Sequence, residues 1–251
     1  MISIKTKKEL RIMREGGRIL ARIMEDLKKA VRPGIKTKEL ERLAQSLVFK
    51  YKARCSFLGY EGYPACLCVS VNDEIVHYPP SDRVLKEGDI VSLDFGVLWK
   101  GFHTDMALTL PVGSVAPEAR RLVKVCKKAL RMSLRNVRPG KTIGDISNAI
   151  QRYVEDQGFN VVRELCGHGI GRELHEDPQI LNYGKRGKGP ELKPGMTICI
   201  EPMITAGDYR IKKSERGPGY RTLDGSLSAH FEHTIAITKS GPWLLTNPNL
   251  F

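Results

Sequence analysis

The sequence predicts an α+β fold made by duplication, an antiparallel sheet covered by helices, and three observations carry that prediction. Amphipathic helical periodicity comes in pairs, each pair followed by apolar runs of strand length. "VRPGIKT" at 31–37 returns as "VRPGKT" at 137–142, an offset of 106. "LKEGDIVSLDFG" at 85–96 returns as "LKPGMTICIEPM" at 192–203, an offset of 107 that lays Asp94 on Glu201. Two matches in one order at nearly one offset imply a repeated unit of about a hundred residues. The repeat divides the chain at approximately 1–110 and 111–251. Both halves are expected to share one curved sheet about a pseudo-twofold axis, within a single domain spanning 1–251.

The elements follow in order. "TKKELRIMREGGRILARIMEDLKKAV" opens with Thr6 and Glu9 at capping-box spacing and closes before Arg32-Pro33-Gly34. "TKELERLAQSLVFKYKA" is a second amphipathic helix. "VSLDFGVLWKGFHTDMALTL", residues 91–110, reads as strand, turn and strand around Lys100-Gly101. That turn sets Trp99 opposite Phe102 and Asp105 opposite Gly96, so Asp94 and Asp105 become diagonal neighbours on one face. In the second half, "APEARRLVKVCKKALRMSLRNV" starts at Pro117 and stops before Arg138-Pro139-Gly140, and "TIGDISNAIQRYVEDQGF" follows. "TICIEPMIT" and "AHFEHTIAIT" are apolar strands, while the Gly, Pro and Lys clusters at 184–195 and 215–219 read as surface loops.

Composition narrows the class. Apolar residues at 41% and charged residues at 27% make an ordinary globular mixture. The N-terminus has no signal-type apolar run and no segment approaches a membrane span, so a soluble cytoplasmic protein is expected. Cys55, Cys66, Cys68, Cys126, Cys166 and Cys199 include no C-x-x-C pair and no zinc-finger spacing, and are expected to be reduced, mostly buried thiols. A net charge of +13 favours a polyanionic partner. The basic residues are scattered over helix faces without a nucleic-acid motif. Loose electrostatic attraction to a ribosome or RNA surface fits this better than specific nucleic-acid recognition.

The acids carry the chemistry. Two carboxylates as close as Asp94 and Asp105 repel unless a proton or a cation lies between them. For one hairpin alone, a simpler account has one Asp bonding a loop and the other facing solvent. The second half weakens it, because Glu201 and Glu232 also stand in apolar strands. Four carboxylates without a basic partner call for divalent metal, in two ions. "CGHGIGRELHEDP", 166–178, has neither phosphate-loop spacing nor H-E-x-x-H, and His168 between Gly167 and Gly169 is either a satisfied histidine in a tight loop or a metal ligand where backbones approach closely. One imidazole and four carboxylates make a hard, oxygen-rich set suited to Mn, Fe(II) or Co better than to a closed structural zinc site, with Zn a further candidate. Two such ions activate water near neutral pH, which is hydrolase chemistry.

The order Asp94, Asp105, His168, Glu201, Glu232, set in "DFG", "HTDMALT", "GHGIGRELHE", "IEPM" and "FEHT", resembles methionine aminopeptidase, and the resemblance runs from "IKTKKELRIMREGGRIL" nearly to the end. It implies the duplicated "pita-bread" fold. The short His175–Glu201 spacing and the lack of N-terminal extensions resemble the bare type I form found in bacteria and organelles. By that resemblance Asp94 and Asp105 hold one metal, His168 and Glu201 the other, and Asp105 and Glu232 bridge. Glu201 is then the proton acceptor, His175 the donor to the carbonyl oxygen, and His77 the residue at the scissile-bond nitrogen. Phe57, Tyr60, Tyr63, Cys68 and Leu174 line the slot for methionine. The implied substrate is the N-terminus of a nascent polypeptide with a small second residue, cleaved by a monomer. A different pita-bread peptidase acting on Xaa-Pro bonds, or a non-catalytic relative bound to RNA or ribosome, are the alternatives. Several positions depart from the usual pattern: Phe57 for cysteine, Leu174 for phenylalanine, "HYPP" for a His-Gly start, "SERGPGYRTLDG" without tryptophan, and His230 for glutamine. Two residues before Glu232, His230 shares that residue's face and falls in the outer shell.

Overall fold

The computed structural model describes residues 1–215 and 217–246. Helix α1 covers Lys7–Ala30, and its first turn is closed by the expected box, with the Glu9 N–H donating to the Thr6 hydroxyl and the Thr6 N–H to Glu9. Leu10, Met13, Gly17, Leu20, Met24 and Leu27 recur every three or four residues and form its buried stripe. Helix α2 covers Thr37–Lys50. Helix α3, Pro117–Ser133, begins on proline, whose fixed φ suits the first turn. Helix α4, Ile143–Asp156, carries a second capping box, between Thr142 and Asp145, that the sequence reading did not single out. No helix among the described residues is long and apolar enough to cross a membrane.

The hairpin pairs Ile90–Trp99 with Phe102–Pro111 in the expected register, Trp99 opposite Phe102 and Gly96 opposite Asp105. Lys100 and Gly101 both have positive φ, 49° and 81°, as a primed two-residue turn requires to match strand twist. Leu67–Val71 and Arg54–Cys55 add to the free edge of Ile90–Trp99. In the second half, five strands run in the order Gly241–Leu244, His233–Thr238, Thr197–Ile200, Cys166–Gly169, Glu176–Leu181.

The two halves build the same local device twice. Lys36, at the start of α2, bridges Val84, and Thr142, at the start of α4, bridges Glu191. From each bridge the chain turns through a left-handed glycine, Gly88 at φ 93° or Gly195 at φ 94°, into a central strand. Those glycines donate to Val112 and Ile237 carbonyls at 3.0 and 2.9 Å. Asp94 stands within the first of these strands, Ile90–Trp99, and Glu201 directly follows the second, Thr197–Ile200.

A seam joins the halves. The Thr109 hydroxyl donates to the His230 carbonyl at 2.9 Å and accepts from its N–H at 2.8 Å. The Thr234 hydroxyl does the same to Asp105, at 2.8 Å each way. Between them the Glu232 N–H donates to the Ala107 carbonyl at 2.9 Å and the Ala107 N–H returns the bond at 3.4 Å. Phe102–Pro111 and the 230–234 segment therefore lie antiparallel side by side, with threonine hydroxyls standing in where peptide groups do not meet. Beneath the sheets, one buried apolar cluster takes Leu20 and Leu27 from α1, Leu122 from α3, Ile150 from α4, and Phe95, Ile198 and Ile235 from strands of both halves.

One sequence expectation is corrected. Cys55 and Cys66 form a disulfide with Cα atoms 5.3 Å apart, while Cys68, Cys126, Cys166 and Cys199 are free thiols. The spacing of this pair carries no signature. What unites them is pairing geometry, since Cys55 and Leu67 flank Ile90–Trp99 on one edge, at Val97 and Phe95. Closing a short loop across a separation of 11 residues restricts the unfolded chain by about 2–3 kcal/mol. Cys55→Ser is therefore expected to lower unfolding stability by about that amount, and added reductant to shift the wild-type urea midpoint toward the variant's. Coincident wild-type and Cys55→Ser urea curves without reductant would count against the cross-link.

Candidate metal centre

Directly opposed residues on neighbouring strands share a face, so the seam can be read across as rungs. One rung runs Cys68, Asp94, Ala107, Glu232. The next runs Gly96, Asp105, Thr234, Cys199, His168. Glu201 lies two residues beyond Cys199 and just past the end of its strand. Four acids and one imidazole from both halves thus reach one patch of one face, with the small Ala107 side chain between Asp94 and Glu232.

Glu232 is the common member. Its carboxylate lies within 4.8 Å of one ligand atom from each of Asp94 and Asp105, of His168 and Cys199, and of Glu201 and His230, in three mutually close groups. His168 Nε2 is 3.6 Å from Glu201 Oε1 and 4.0 Å from Glu232 Oε1. The His168 ring is oriented from behind, because its Nδ1 lies 2.8 Å from the Gly169 carbonyl, which can only accept. Nδ1 therefore carries the proton and Nε2 presents a bare lone pair to the acids. The glycines around His168 answer to backbone crowding. A Cβ on Gly167 would lie 2.3 Å from the Cys199 carbonyl oxygen, and one on Gly169 2.0 Å from that of Asp177.

The electrostatics are one-sided. Burial pushes the carboxyls of Asp94, Glu201 and Glu232 well above the ordinary range, with the charge of Asp105 adding to each, and raises Asp105 itself to about 7. Burial also lowers His77 to about 4 and His168 and His230 to about 3, and moves His175 in the same direction. The imidazoles are therefore neutral at pH 7 and offset none of the negative charge. Among the described residues no lysine or arginine lines the cavity. Asp94 Oδ1 and Glu232 Oε1 are buried with no hydrogen-bond partner. Orphaned carboxylate oxygens facing a bare imidazole nitrogen are what a divalent cation would satisfy, so the residues fit a metal. Burial and the nearby Glu232 keep the Cys199 thiol protonated, in keeping with an oxygen and nitrogen donor set.

A cavity of about 390 Å³ opens above this patch. Phe57, Tyr60, Tyr63, Cys68, Leu174, His77 and His175 all line it, and Glu61, Gly62, Pro64 and Pro218 join them without having been anticipated. Phe57, Cys68 and Leu174 belong to one buried apolar cluster, with Tyr60 and Tyr63 packed against it. The Tyr60 hydroxyl lies 2.9 Å from His175 Nδ1, a contact with no sequence signal because 115 positions separate the two. His77 holds φ at 62°, a costly left-handed conformation for a residue with a Cβ, of the kind that concentrates at functional sites.

A family model described as metallopeptidase family M24 matches residues 11–239. The chain belongs to the methionine aminopeptidases of family M24. It is 50% identical over 246 residues to methionine aminopeptidase 1 of Bacillus subtilis, covering 98% of this chain and 99% of that one. It is 44% identical to the methionine aminopeptidase of Escherichia coli, covering 98% and 94%. The solved methionine aminopeptidase of Thermotoga maritima superposes with a TM-score of 0.97 at 44% identity, covering 98% of this chain and all of that one. An Xaa-Pro dipeptidase from Bacillus anthracis shares the fold at TM-score 0.78 and 23% identity, with this chain covering 62% of it. The pita-bread fold and the use of divalent metal are those of the family.

Carboxyls held above their ordinary range keep their protons more tightly in the metal-free protein, and a cation must displace them. Loading a divalent metal at pH 7 is expected to release protons, and apparent affinity to rise between pH 6 and 8 as Asp105, near 7, deprotonates unaided. Calorimetric titrations in two buffers of different ionisation enthalpy measure this directly. A binding heat independent of buffer would contradict it.

Proposed function

We propose that the protein is a metal-dependent aminopeptidase that removes methionine from the N-termini of nascent polypeptides with a small second residue. The observation that carries this reading is the convergence of Asp94, Asp105, His168, Glu201 and Glu232 on one face beneath an apolar cavity. Asp94 and Asp105 would hold one ion and His168 and Glu201 the other, with Asp105 and Glu232 available to both. The ions are two, from Mn, Fe(II), Co or Zn. Bound there, they supply Lewis acidity and bring the pKa of water toward neutrality.

The chain's own groups do the rest. Glu201 accepts the proton of the attacking water and returns it to the leaving amine. The Tyr60 hydroxyl, kept protonated by burial, donates to His175 Nδ1 and leaves Nε2–H as the ring's donor for the developing oxyanion. His77, neutral and held by its unusual backbone, contacts the scissile-bond nitrogen. Phe57, Tyr60, Tyr63, Cys68 and Leu174 form the methionine slot, where aromatic and soft groups suit a flexible thioether. The departures at Phe57 and Leu174 fall in one buried cluster, so extra bulk at one is offset by less at the other. The chain acts as one catalytic domain, 1–251, a monomer in the cytoplasm.

Incubation of metal-reconstituted protein with Met-Ala-Ser, Leu-Ala-Ser and Ala-Pro peptides, with and without EDTA, tests the reading. Methionine alone should be released, and EDTA should abolish it. No cleavage with any of the four metals would sink the proposal. Glu201→Gln should lower kcat by about 10²–10⁴-fold, and near-normal turnover would remove its assigned role.

A surface role accompanies the site. The outer face of α3 exposes Arg120, Arg121, Lys124, Lys128 and Arg131 within a chain of net charge +13. This charge attracts the protein to the ribosome, near its substrates, without specific nucleic-acid recognition. Co-sedimentation with ribosomes should weaken steeply as salt rises. Salt-insensitive or absent co-sedimentation would rule out the electrostatic account.

A further inference from the structure

His230 is fully placed and yet unused. Its backbone is clamped on both sides by the Thr109 hydroxyl, and its register is set by pairing with Met203. The residue is only 1% exposed, and neither Nδ1 nor Nε2 has a hydrogen-bond partner. Leaving a buried polar group unsatisfied costs about 1–3 kcal/mol. An imidazole held in that condition by a rigid backbone points to a partner gained in the working state.

Nε2 lies 3.6 Å from Glu201 Oε2. The other oxygen of the same carboxylate, Oε1, lies 3.6 Å from His168 Nε2. The two oxygens are therefore addressed by two different imidazoles, and the neutral rings differ in whether the ring proton is committed to Nδ1. His168 Nε2 is an acceptor, since its proton is committed at Nδ1 to Gly169. Two acceptors facing each other need a proton or a metal cation between them, and in the metal-loaded protein this makes Oε1 the metal-facing oxygen. Nothing commits the proton of His230 to Nδ1, so Nε2–H is free to point at Oε2. The gap is only a few tenths of an ångström beyond a hydrogen bond.

From this geometry we infer that His230 is a positioning residue for Glu201, donating Nε2–H to Oε2 and so turning Oε1 toward the metal. The inference rests on the reading of Glu201 as metal ligand and base. Held at one oxygen, the carboxylate loses the rotation that would otherwise spread its two oxygens between the ion and its acidic neighbours. Outer contacts of this kind typically carry a 10–100-fold effect on metal affinity.

Three full-length proteins separate this from a packing role: wild type, His230→Gln, which keeps an N–H donor, and His230→Leu, which has similar bulk and none. Each is stripped with chelator and titrated with Co(II) in a calorimeter. Turnover of Met-Ala-Ser and the cobalt X-ray absorption fine structure are then recorded on the loaded enzymes. His230→Leu is expected to bind Co(II) about 10–100-fold more weakly and to lose kcat with little change in KM, while His230→Gln stays within a few-fold of wild type. The number of imidazoles bound to cobalt should be the same in wild type and His230→Leu. If His230→Leu does not fold, His230→Met provides the same donor-free comparison. Wild-type affinity and turnover in the donor-free variant overturn the inference, as does loss of an imidazole from the cobalt shell, which would make His230 a ligand. A wild-type protein that binds no Co(II) removes the proposed function and the inference together. Tight wild-type binding with an indifferent donor-free variant removes the inference alone.

Discussion

Unopposed negative charge in a buried place governs this molecule. Asp94, Asp105, Glu201 and Glu232 sit together with neutral imidazoles, and among the described residues no lysine or arginine reaches the cavity. An ion removed from water without a partner costs several kcal/mol. Fully burying a Leu, Ile or Phe side chain returns about 1.5–3 kcal/mol, and whole domains are stable by only about 5–15 kcal/mol. Four ionised acids would consume the margin of any ordinary core. They therefore persist only with protons or with cations, and the fold around them restricts which. His168 presents an unprotonated nitrogen, Asp94 Oδ1 and Glu232 Oε1 are left without donors, and Ala107 keeps the space between them open.

The duplication solves the placement problem with unequal parts. In the first half the acids are aspartates inside ten-residue strands, fixed by the ladder on both sides. In the second half they are glutamates at strand ends, Glu201 before Pro202 and Glu232 between Ser228–His230 and His233–Thr238. The longer side chain spans the distance that a broken strand leaves. The Thr109 and Thr234 hydroxyls then pin the break at Glu232 to the hairpin, so the less regular half is registered against the more regular one.

Much of this was legible in the residues. The Lys100-Gly101 turn dictates the hairpin register, and the register puts Asp94 and Asp105 on one face. The offset between "LKEGDIVSLDFG" and "LKPGMTICIEPM" leads from Asp94 to Glu201, and the structure shows its cause in the matched bridge, glycine turn and strand. What was not legible depends on segments distant in the chain meeting at fixed angles. The contact of Tyr60 with His175, the central position of Glu232 among three donor groups, and the approach of His230 to Glu201 Oε2 have no local pattern. The Cys55–Cys66 cross-link failed for a different reason: compartment and spacing both argued for thiols, and only the shared edge of one strand brings the two sulfurs together.

That cross-link encloses Phe57, Tyr60 and Tyr63, three walls of the cavity, in one covalent ring. An ordinary surface loop drifts by insertion and deletion, since lengthening it costs little. A ring closed at both ends against the same strand has no such freedom, because each added residue must bulge into the cavity or out of it. Selection on this wall is thereby confined to exchanges of side chain at constant length. Substrate preference in descendants of this sequence should change by swaps at positions such as 57, 60 and 63, while the ring's length stays as it is.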